Sequence, residues 1–552
     1  MRYLIPFFSV VFLFSCSVKN ETKEKSSLGK RPKLVVGIVV DQMRYDYLTR
    51  FESKYSDNGF KKLMRDGFHC DEHHFSYMPT FTGPGHASVF SGTTPEIHGI
   101  IANDWYDRKL KREVYCAEDS TVLSVGVDSK KERRSPKNIL VTSLGDQIKM
   151  ATSYNGKSIG VSIKDRSAIF PAGKMADGAF WFKGGDDGKF ITSTYYMNEL
   201  PGWVSGFNEL KKPDEYLSQN WVTLLPIEDY TESNPDMNAY EQGLESGDSD
   251  PVFPYDLKSL KEKLGYSLIK SVPFGNDLLV DFAKAAIEGE ELGQDSIMDW
   301  LTVSFSSPDY IGHKFGPRSI EIEDTYLRLD LNIADLINYL DEKVGKGEYV
   351  IFLTADHGAA QVPQELMDNG VEVGYYDPKE ILADVNAVLE SKFGADNLIE
   401  SFSNFQFFIN RKVMKKNGLE MNAVCKTIVA ASVKQPSVKS GMIRRDLERS
   451  QYTDRVEQTV QKGWNTKRSG DVALIMEPGW ISNWYEPHGG TTHGSPWAYD
   501  THVPLMFYGF GVEPGYTNEK TSVEDIVPTV AAIIGVQPPM GCTGVAIDDV
   551  LE

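Results

Sequence analysis

The sequence predicts an α/β fold with a mostly parallel central sheet and helices on both faces. Three runs of β-branched and aromatic residues support this prediction: 33–40, 300–305 and 349–354. Continuous apolar runs of this length are typical of strands that are buried on both faces of a parallel sheet. Between the last two runs, apolar residues recur at helical spacing over 319–344, which predicts an amphipathic crossover helix.

Acidic residues follow all three predicted strands, two of them with a histidine nearby. A further histidine lies in a Gly-Thr-Thr-His-Gly segment near the C-terminus. Together these residues form the candidate set Asp41, Asp309, His313, Asp356, His357 and His493. A single residue of this kind is usually a helix cap or a structural histidine. Because ligands bind beyond the carboxyl ends of parallel strands, the recurrence instead favours a site with two cations, suited to in-line phosphoryl displacement.

A glycine- and proline-rich turn, 82–86, precedes small residues that favour a helix. This arrangement can place Thr82 at a helix N-terminus, where free N–H groups and the helix dipole attract an anion. Asn103, which ends the segment 98–103, can hydrogen-bond the same anion. The alternative is a helix cap at Thr82 and a turn at Asn103.

In combination, these motifs resemble the alkaline phosphatase superfamily, and in particular its threonine-nucleophile branch. That branch holds the nucleotide pyrophosphatase/phosphodiesterases and the PafA-type periplasmic alkaline phosphatases. The matching segments are Asp41, the turn 82–86, the segment 98–103, Asp-x-x-x-His at 309–313, Ala-Asp-His-Gly at 355–358 and Gly-Thr-Thr-His at 490–493. The resemblance implies an alkaline phosphatase-like fold with two Zn²⁺ per chain.

The resemblance also implies a role for each matching residue. Asp309, His313 and His493 would hold one zinc, whereas Asp41, Asp356, His357 and Thr82 would hold the other. Thr82 would be the nucleophile that forms a phosphothreonine intermediate, and Asn103 would bind a phosphate oxygen. Thr80 and His488 are weighed as substitutes for Thr82 and His493 but lack the matching context. His86 and His98 are interpreted as structural.

Lys164 and Arg166 distinguish between the two groups of enzymes that this branch contains, the phosphatases and the phosphodiesterases. Lys164 lies near the end of the predicted strand 158–165 and Arg166 directly follows it, so the two are two residues apart and point to the same side if the strand geometry continues. The PafA-type phosphatases carry a Lys-x-Arg pair that contacts the phosphoryl group, and the diesterases lack it. The resemblance therefore implies a phosphate monoester hydrolase that releases inorganic phosphate. The alternative for the pair itself is two exposed charges at a strand end.

Three other functions are compatible with parts of this pattern. A phosphodiesterase or nucleotide pyrophosphatase shares all of it except the Lys-x-Arg pair. A sulfatase is disfavoured because that family has a modifiable Cys or Ser where this chain has Thr82. A non-catalytic secreted zinc-binding protein is disfavoured because every expected ligand and the nucleophile are present.

Composition limits the partners. A net charge of -20 with a pI near 5.1 argues against nucleic-acid binding, which needs a basic face. The predicted substrates are small-molecule phosphate monoesters, and local cations must bind them. A monomer is favoured, and the oligomeric state is left open.

The N-terminus predicts export. Residues 1–16 have the layout of a signal peptide, followed by a polar tether at 17–32, and Cys16 lies where a bacterial lipoprotein is lipidated. The predicted location is the periplasm, or an outer-membrane or cell-surface anchor through Cys16. The remaining cysteines, Cys70, Cys116, Cys425 and Cys542, are even in number and suggest disulfides, with Cys70–Cys116 as the candidate pair.

The rest of the chain, 33–552, is predicted to be one catalytic domain with two insertions. The first, at about 179–273, is rich in Gly, Asp, Trp and Tyr and would cover the site. The second, at about 374–470, alternates helix-like and strand-like segments and predicts a small α+β subdomain. Segments 472–476 and 503–508 are then predicted to be strands that return the chain to the central sheet.

Overall fold

A computed structural model describes residues 30–245, 250–486 and 488–551. The predicted signal peptide, Cys16 and nearly all of the tether lie outside the described residues. Within the described ranges, no helix is both long enough and apolar enough to cross a membrane.

Ten strands form the central sheet. From one edge to the other their order is Gly515–Ser522, Phe68–His74, Leu505–Gly509, Tyr349–Thr354, Leu34–Val40, Asp299–Phe305, Ser158–Ser162, Gly178–Lys183, Lys189–Ser193 and Ser124–Val125. The five strands from Tyr349–Thr354 to Gly178–Lys183 run parallel to one another, whereas antiparallel pairs lie on both sides of this block. The predicted mostly parallel sheet is confirmed.

The middle strand, Leu34–Val40, is buried along its whole length, as expected for a strand covered on both faces. Leu34 pairs with Asp299 on one side and Tyr349 on the other, and Val40 lies opposite Phe305. This register ends the three predicted strands at one level. The residues that follow them therefore start from the same edge of the sheet.

Helices of eight or more residues pack around the central sheet or beside a second, smaller sheet. Their bounds are Thr82–Ser91, Leu144–Ala151, Asp165–Ala172, Gly202–Glu209, Leu257–Leu264, Phe274–Gly289, Ser307–Phe315, Ile320–Leu340, Pro378–Phe393, Met421–Ser432, Arg455–Gly463 and Ile526–Ile534. The predicted crossover helix corresponds to Ile320–Leu340. It begins after Ser319, whose hydroxyl accepts a hydrogen bond from the backbone N–H of Ile322.

Two predicted boundaries differ from the structure. Residues 178–193 supply two strands of the central sheet, so the part of 179–273 that lies outside that sheet begins after Ser193. Val472–Met476 does not return to the central sheet. It pairs with Gln406–Ile409 and Val438–Ile443 in a separate sheet of four antiparallel strands. The residue pattern of one strand does not show which other strand it pairs with. This pairing decides both boundaries.

This second sheet has an apolar core of its own. Its fourth strand is Ile399–Ser403, and the helices Pro378–Phe393 and Met421–Ser432 contact each other beside it. Buried residues such as Phe407, Ile428 and Leu474 belong to this core. Segment 378–476 thus buries its apolar side chains largely within itself.

The predicted disulfides are wrong for the described cysteines. Cys70, Cys116, Cys425 and Cys542 are all free thiols. The candidate pair is separated because Cys70 packs in the main core, whereas Cys116 belongs to a different apolar cluster, next to Gly83. Burial raises the pKa of the Cys70 thiol to about 12, so this thiol stays protonated and behaves as a small apolar side chain.

Candidate active site

Thr82 is the first residue of the helix Thr82–Ser91, and its side chain is buried. The preceding residue, Phe81, has extended backbone, so the helix begins at Thr82 and its first N–H groups have no intrahelical partners. This is the predicted placement of a hydroxyl group at an anion-attracting helix terminus.

The helix can approach the sheet closely because Gly85 has no side chain. A Cβ atom at Gly85 would lie 2.5 Å from the backbone oxygen of Asp356. His86 ties the helix to the sheet: its Nδ1 donates to the carbonyl of Thr82 at 3.0 Å, which leaves Nε2 to accept from the Ser304 hydroxyl at 2.7 Å. The Gly-Pro-Gly-His turn therefore sets the distance between Thr82 and the strand-end acids.

The six predicted acids and histidines form two groups. In the first group, the Nε2 atoms of His313 and His493 lie 3.1 Å and 3.6 Å from Oδ1 of Asp309. In the second, Nε2 of His357 lies 3.6 Å from both Asp41 Oδ1 and Asp356 Oδ2. Each group matches one of the two predicted ligand sets.

The second group contains buried polar atoms that no protein group satisfies. Oδ1 of Asp41, Oδ2 of Asp356 and Nε2 of His357 are all buried and lack a hydrogen-bond partner. Unpaired buried polar atoms are costly, and three of them within reach of one another form a candidate site for a cation. Ligands about 2.1 Å from a tetrahedral Zn²⁺ lie roughly 3.4 Å apart, so both groups fit zinc in donor type and in spacing.

The imidazole rings are held in the orientation that a metal ligand needs. Nδ1 of His313 donates to the carbonyl of Thr491 at 2.8 Å, and Nδ1 of His493 donates to that of Thr80 at 2.6 Å. Nδ1 of His357 donates to the carbonyl of Gly358 at 3.0 Å. Each ring therefore presents Nε2, with its lone pair, to the carboxylates.

Lys164 lies between the two groups. Its Nζ donates to Asp41 Oδ2 at 2.7 Å and to Asp309 Oδ2 at 2.5 Å, and its side chain is buried. The predicted strand geometry is wrong here, because the strand ends at Ser162 and Lys164 is the residue before the helix Asp165–Ala172. Because the strand ends before Lys164, the ammonium group of this residue points into the site.

Arg166 lies in the first turn of that helix. Its Nη1 donates to the hydroxyl of Tyr115 at 3.2 Å, while its buried Nε has no partner. The Tyr115 hydroxyl in turn donates to Asp165, which also accepts from Arg134 Nε at 2.5 Å. Arg166 is thus held by a network of neighbouring side chains and keeps unused N–H donors for an anion.

Asn103 is placed next to the turn that carries Thr82. Its Oδ1 accepts from the backbone N–H of Gly83 at 2.7 Å. This bond orients the amide so that its NH₂ group is available to an oxyanion close to the helix terminus. Asn103 therefore contacts the residue that directly follows the predicted nucleophile.

The burial of these groups creates a strong electrostatic demand for cations. Burial raises the pKa of Asp356 to about 7, and burial together with nearby Asp356 raises the pKa of Asp41 well above its usual range. Burial alone would also raise the pKa of Asp309, but His313 when it is protonated, together with the Lys164 ammonium group, holds that pKa well below its usual value. Carboxylates this close ionise together only when positive charge compensates them.

The substitutes weighed in the sequence take other positions. The Thr80 hydroxyl donates to the backbone carbonyl of Ser495 at 3.1 Å, and His488 is exposed beside Trp484. His98 accepts from the backbone N–H of Ile100 and bonds to the Ser88 hydroxyl, a structural arrangement.

Three further residues at the site are not among those predicted from the sequence. Gln42 donates through its backbone N–H to Asp356 and through its side-chain amide to Asp309. Tyr115 supports Arg166, and the Tyr485 hydroxyl lies 3.3 Å from Nδ1 of His313. Only Gln42, which directly follows Asp41, had a position that pointed to the site.

Comparison with known proteins identifies similar chains. A family model described as "Type I phosphodiesterase / nucleotide pyrophosphatase" matches residues 35–496. Alkaline phosphatase PafA of Elizabethkingia meningoseptica is 45% identical over 96% of both chains. A Myroides odoratus protein named calcium-transporting ATPase is 45% identical over 95% of both chains, and alkaline phosphatase PhoV of Synechococcus elongatus is 42% identical over the full length of both. The crystal structure of PafA matches with a TM-score of 0.91, covering 95% of this chain and 99% of PafA.

The contact at Gly85 predicts a specific defect. Gly85→Ala should lower the free energy of unfolding by roughly 1–3 kcal/mol, since the added methyl group must displace the backbone at Asp356. Activity should fall as well, because the same displacement moves Asp356. Denaturant unfolding and steady-state kinetics measure the two effects.

A matched glycine provides the control for this variant. Gly206 lies in the helix Gly202–Glu209 with open space around the position of a Cβ atom. Gly206→Ala should raise the free energy of unfolding by about 0.4–1 kcal/mol and leave activity unchanged. Equal stability of the two variants would show that the close approach at Asp356 is not a constraint.

Proposed function

The chain belongs to the type I phosphodiesterase / nucleotide pyrophosphatase family of the alkaline phosphatase superfamily, and we propose that it is an alkaline phosphatase with two bound Zn²⁺ and a threonine nucleophile. Its substrates are phosphate monoesters, and its products are an alcohol and inorganic phosphate. Similarity to PafA and PhoV along nearly the whole chain supports the phosphatase activity.

The observation that carries the preference for monoesters is the position of Lys164 between the two donor groups. A monoester has one more charged oxygen than a diester, which carries a substituent there. Lys164 and Arg166 place two positive charges at the phosphoryl site of an otherwise acidic protein. They therefore favour the more highly charged transition state of the monoester.

The donor groups define where the metal ions bind. Asp309, His313 and His493 would hold one Zn²⁺, while the other would be held by Asp41, Asp356, His357 and the Thr82 oxygen. When bound, the two ions lower the pKa of a coordinated hydroxyl group and neutralise charge on the attacking and leaving oxygens.

The chain's own residues perform an in-line displacement in two steps. Thr82 Oγ1 attacks phosphorus, forming a phosphothreonine as the bond to the leaving alcohol oxygen breaks. Asn103 and Arg166 donate hydrogen bonds to the non-bridging oxygens, and Lys164 balances their charge. Water then attacks phosphorus from the opposite side, the bond to Thr82 breaks, and phosphate leaves.

Metal content tests the cofactor. Elemental analysis should find about two zinc ions per chain, and chelation should remove activity, because the buried carboxylates would lose their compensating charges. Chelator saturated with zinc is the matched control and should not inhibit. Full turnover in the metal-free protein would contradict the assignment.

Substitution of two threonines in the same turn tests the nucleophile. Thr82→Val keeps the shape but removes the hydroxyl, so turnover should fall by roughly 10³-fold or more and no acid-stable phosphoenzyme should form. Thr82→Ser should retain part of the activity. Thr80→Val loses only the hydrogen bond to Ser495 and should keep most of the activity. A phosphate label on Thr80 would mean that the nucleophile has been assigned wrongly.

Lys164 and Arg166 distinguish monoesterase from diesterase activity. Lys164→Ala and Arg166→Ala, singly and together, should lower kcat/KM for an aryl phosphate monoester by roughly 10²–10³-fold. The matching methyl aryl diester should be affected much less, since it lacks the additional charged oxygen. The two losses need not add, because both side chains belong to one site.

The family description makes a phosphodiesterase the second candidate. Equal losses of kcat/KM for the monoester and the diester in these variants would favour the phosphodiesterase. A higher wild-type kcat/KM for the diester would favour it as well. The diester substrate thus serves as an internal control for site integrity and as the test of the alternative.

Export is proposed from the sequence of residues 1–16, which carries the signal pattern. We expect the mature chain to begin at Cys16 with attached lipid and to sediment with membranes. Intact mass measurement of the mature N-terminus checks this expectation. A free N-terminus downstream of Cys16 would indicate a secreted form without an anchor.

A further inference from the structure

A mainly apolar cavity of about 160 Å³ lies beside the first donor group. Its size is close to that of a roughly 150 Å³ apolar cavity known to accept a benzene ring. Aromatic and thioether side chains form much of its wall: Met78, Phe81, Tyr376, Phe405, Met476 and Trp480. The cavity therefore has the volume and the lining to hold one aromatic ring.

The cavity shares two walls with the catalytic site. His493 lines it, and the His493 ring meets Phe81 edge-to-face with centroids 5.7 Å apart. Phe81 immediately precedes Thr82. Tyr485 also lines the cavity, and its hydroxyl lies 3.3 Å from Nδ1 of His313. Any molecule in the cavity is consequently adjacent to the group formed by Asp309, His313 and His493.

In the mechanism proposed above, Thr82 belongs to the other donor group, so the group of Asp309, His313 and His493 would lie on the side of the leaving oxygen. The organic part of a substrate is attached to that leaving oxygen, so it extends away from Thr82. The cavity is the apolar space that adjoins this side. Its aromatic walls can pack edge-to-face against a ring, and Met78 and Met476 can adapt to its outline.

We propose that this cavity binds the organic part of the substrate and selects phosphate monoesters of aromatic or similarly apolar alcohols with about one ring. The proposal rests on the phosphatase function given above. It assigns to segment 376–485 a direct part in substrate choice, since that segment supplies Tyr376, Phe405, Met476, Trp480 and Tyr485.

Two tryptophans four residues apart provide a matched pair of variants. Trp480 lines the cavity, whereas Trp484 is 66% exposed and does not. Calorimetric titration of the zinc-loaded enzyme would use phenylphosphonate and methylphosphonate, which share the phosphonate group and resist hydrolysis. Trp480→Ala should weaken the binding of phenylphosphonate about tenfold and that of methylphosphonate much less. Trp484→Ala should change neither affinity.

Kinetics with phenyl phosphate and methyl phosphate provide the second measurement. For each ester, the ratio of variant to wild-type kcat/KM cancels the intrinsic reactivity of the leaving group. Trp480→Ala and the milder Trp480→Leu should lower the ratio selectively for phenyl phosphate. Methylphosphonate binding verifies that each variant is folded around an intact site.

The outcomes separate this inference from the proposed function. If Trp480→Ala lowers the affinity for both phosphonates equally, or does not lower the affinity for phenylphosphonate, Trp480 serves only to pack its segment. Either result would overturn the inference. Wild-type enzyme that hydrolyses neither ester would refute the phosphatase function. In that case the two phosphonates would still report whether the cavity binds a ring.

Discussion

Three buried carboxylates at one edge of the central sheet, Asp41, Asp309 and Asp356, create the electrostatic constraint on which the site depends. Their charges cannot coexist in a dry environment without compensation, as the raised pKa values of Asp41 and Asp356 show. Lys164 supplies one positive charge, and the two groups of donors provide places for cations. A phosphate dianion also requires nearby positive charges. The same arrangement of cations can therefore compensate the carboxylates and bind the dianion.

The geometry of the site comes from backbone positions more than from side-chain contacts. Strand register aligns the three acids, and backbone carbonyls of Thr80, Thr491 and Gly358 orient the three imidazole rings. Gly85 lets the helix Thr82–Ser91 approach the sheet. Because these groups belong to helices and strands of the fold, the backbone holds the candidate ligands in place, which is the preorganisation that electrostatic catalysis needs.

In the proposed function, the two ends of a substrate would meet different parts of the chain. The phosphoryl group would face residues that follow strands of the central sheet, together with the helix that begins at Thr82. The cavity beside His493 is lined largely by later segments, including side chains close to the second sheet. A site of this kind can keep its phosphoryl chemistry while changes in the later segments alter which alcohol it accepts.

Sequence by itself determined the α/β fold, the crossover helix and the residues of both donor groups. These follow local patterns: apolar runs, helical spacing and short motifs at strand ends. Tertiary structure decided the rest. Lys164 enters the site because the strand stops at Ser162, a break that alternating apolar residues did not reveal. Cys70 and Cys116 remain apart, and Val472–Met476 joins another sheet, because pairing depends on long-range contacts that a single sequence does not encode locally.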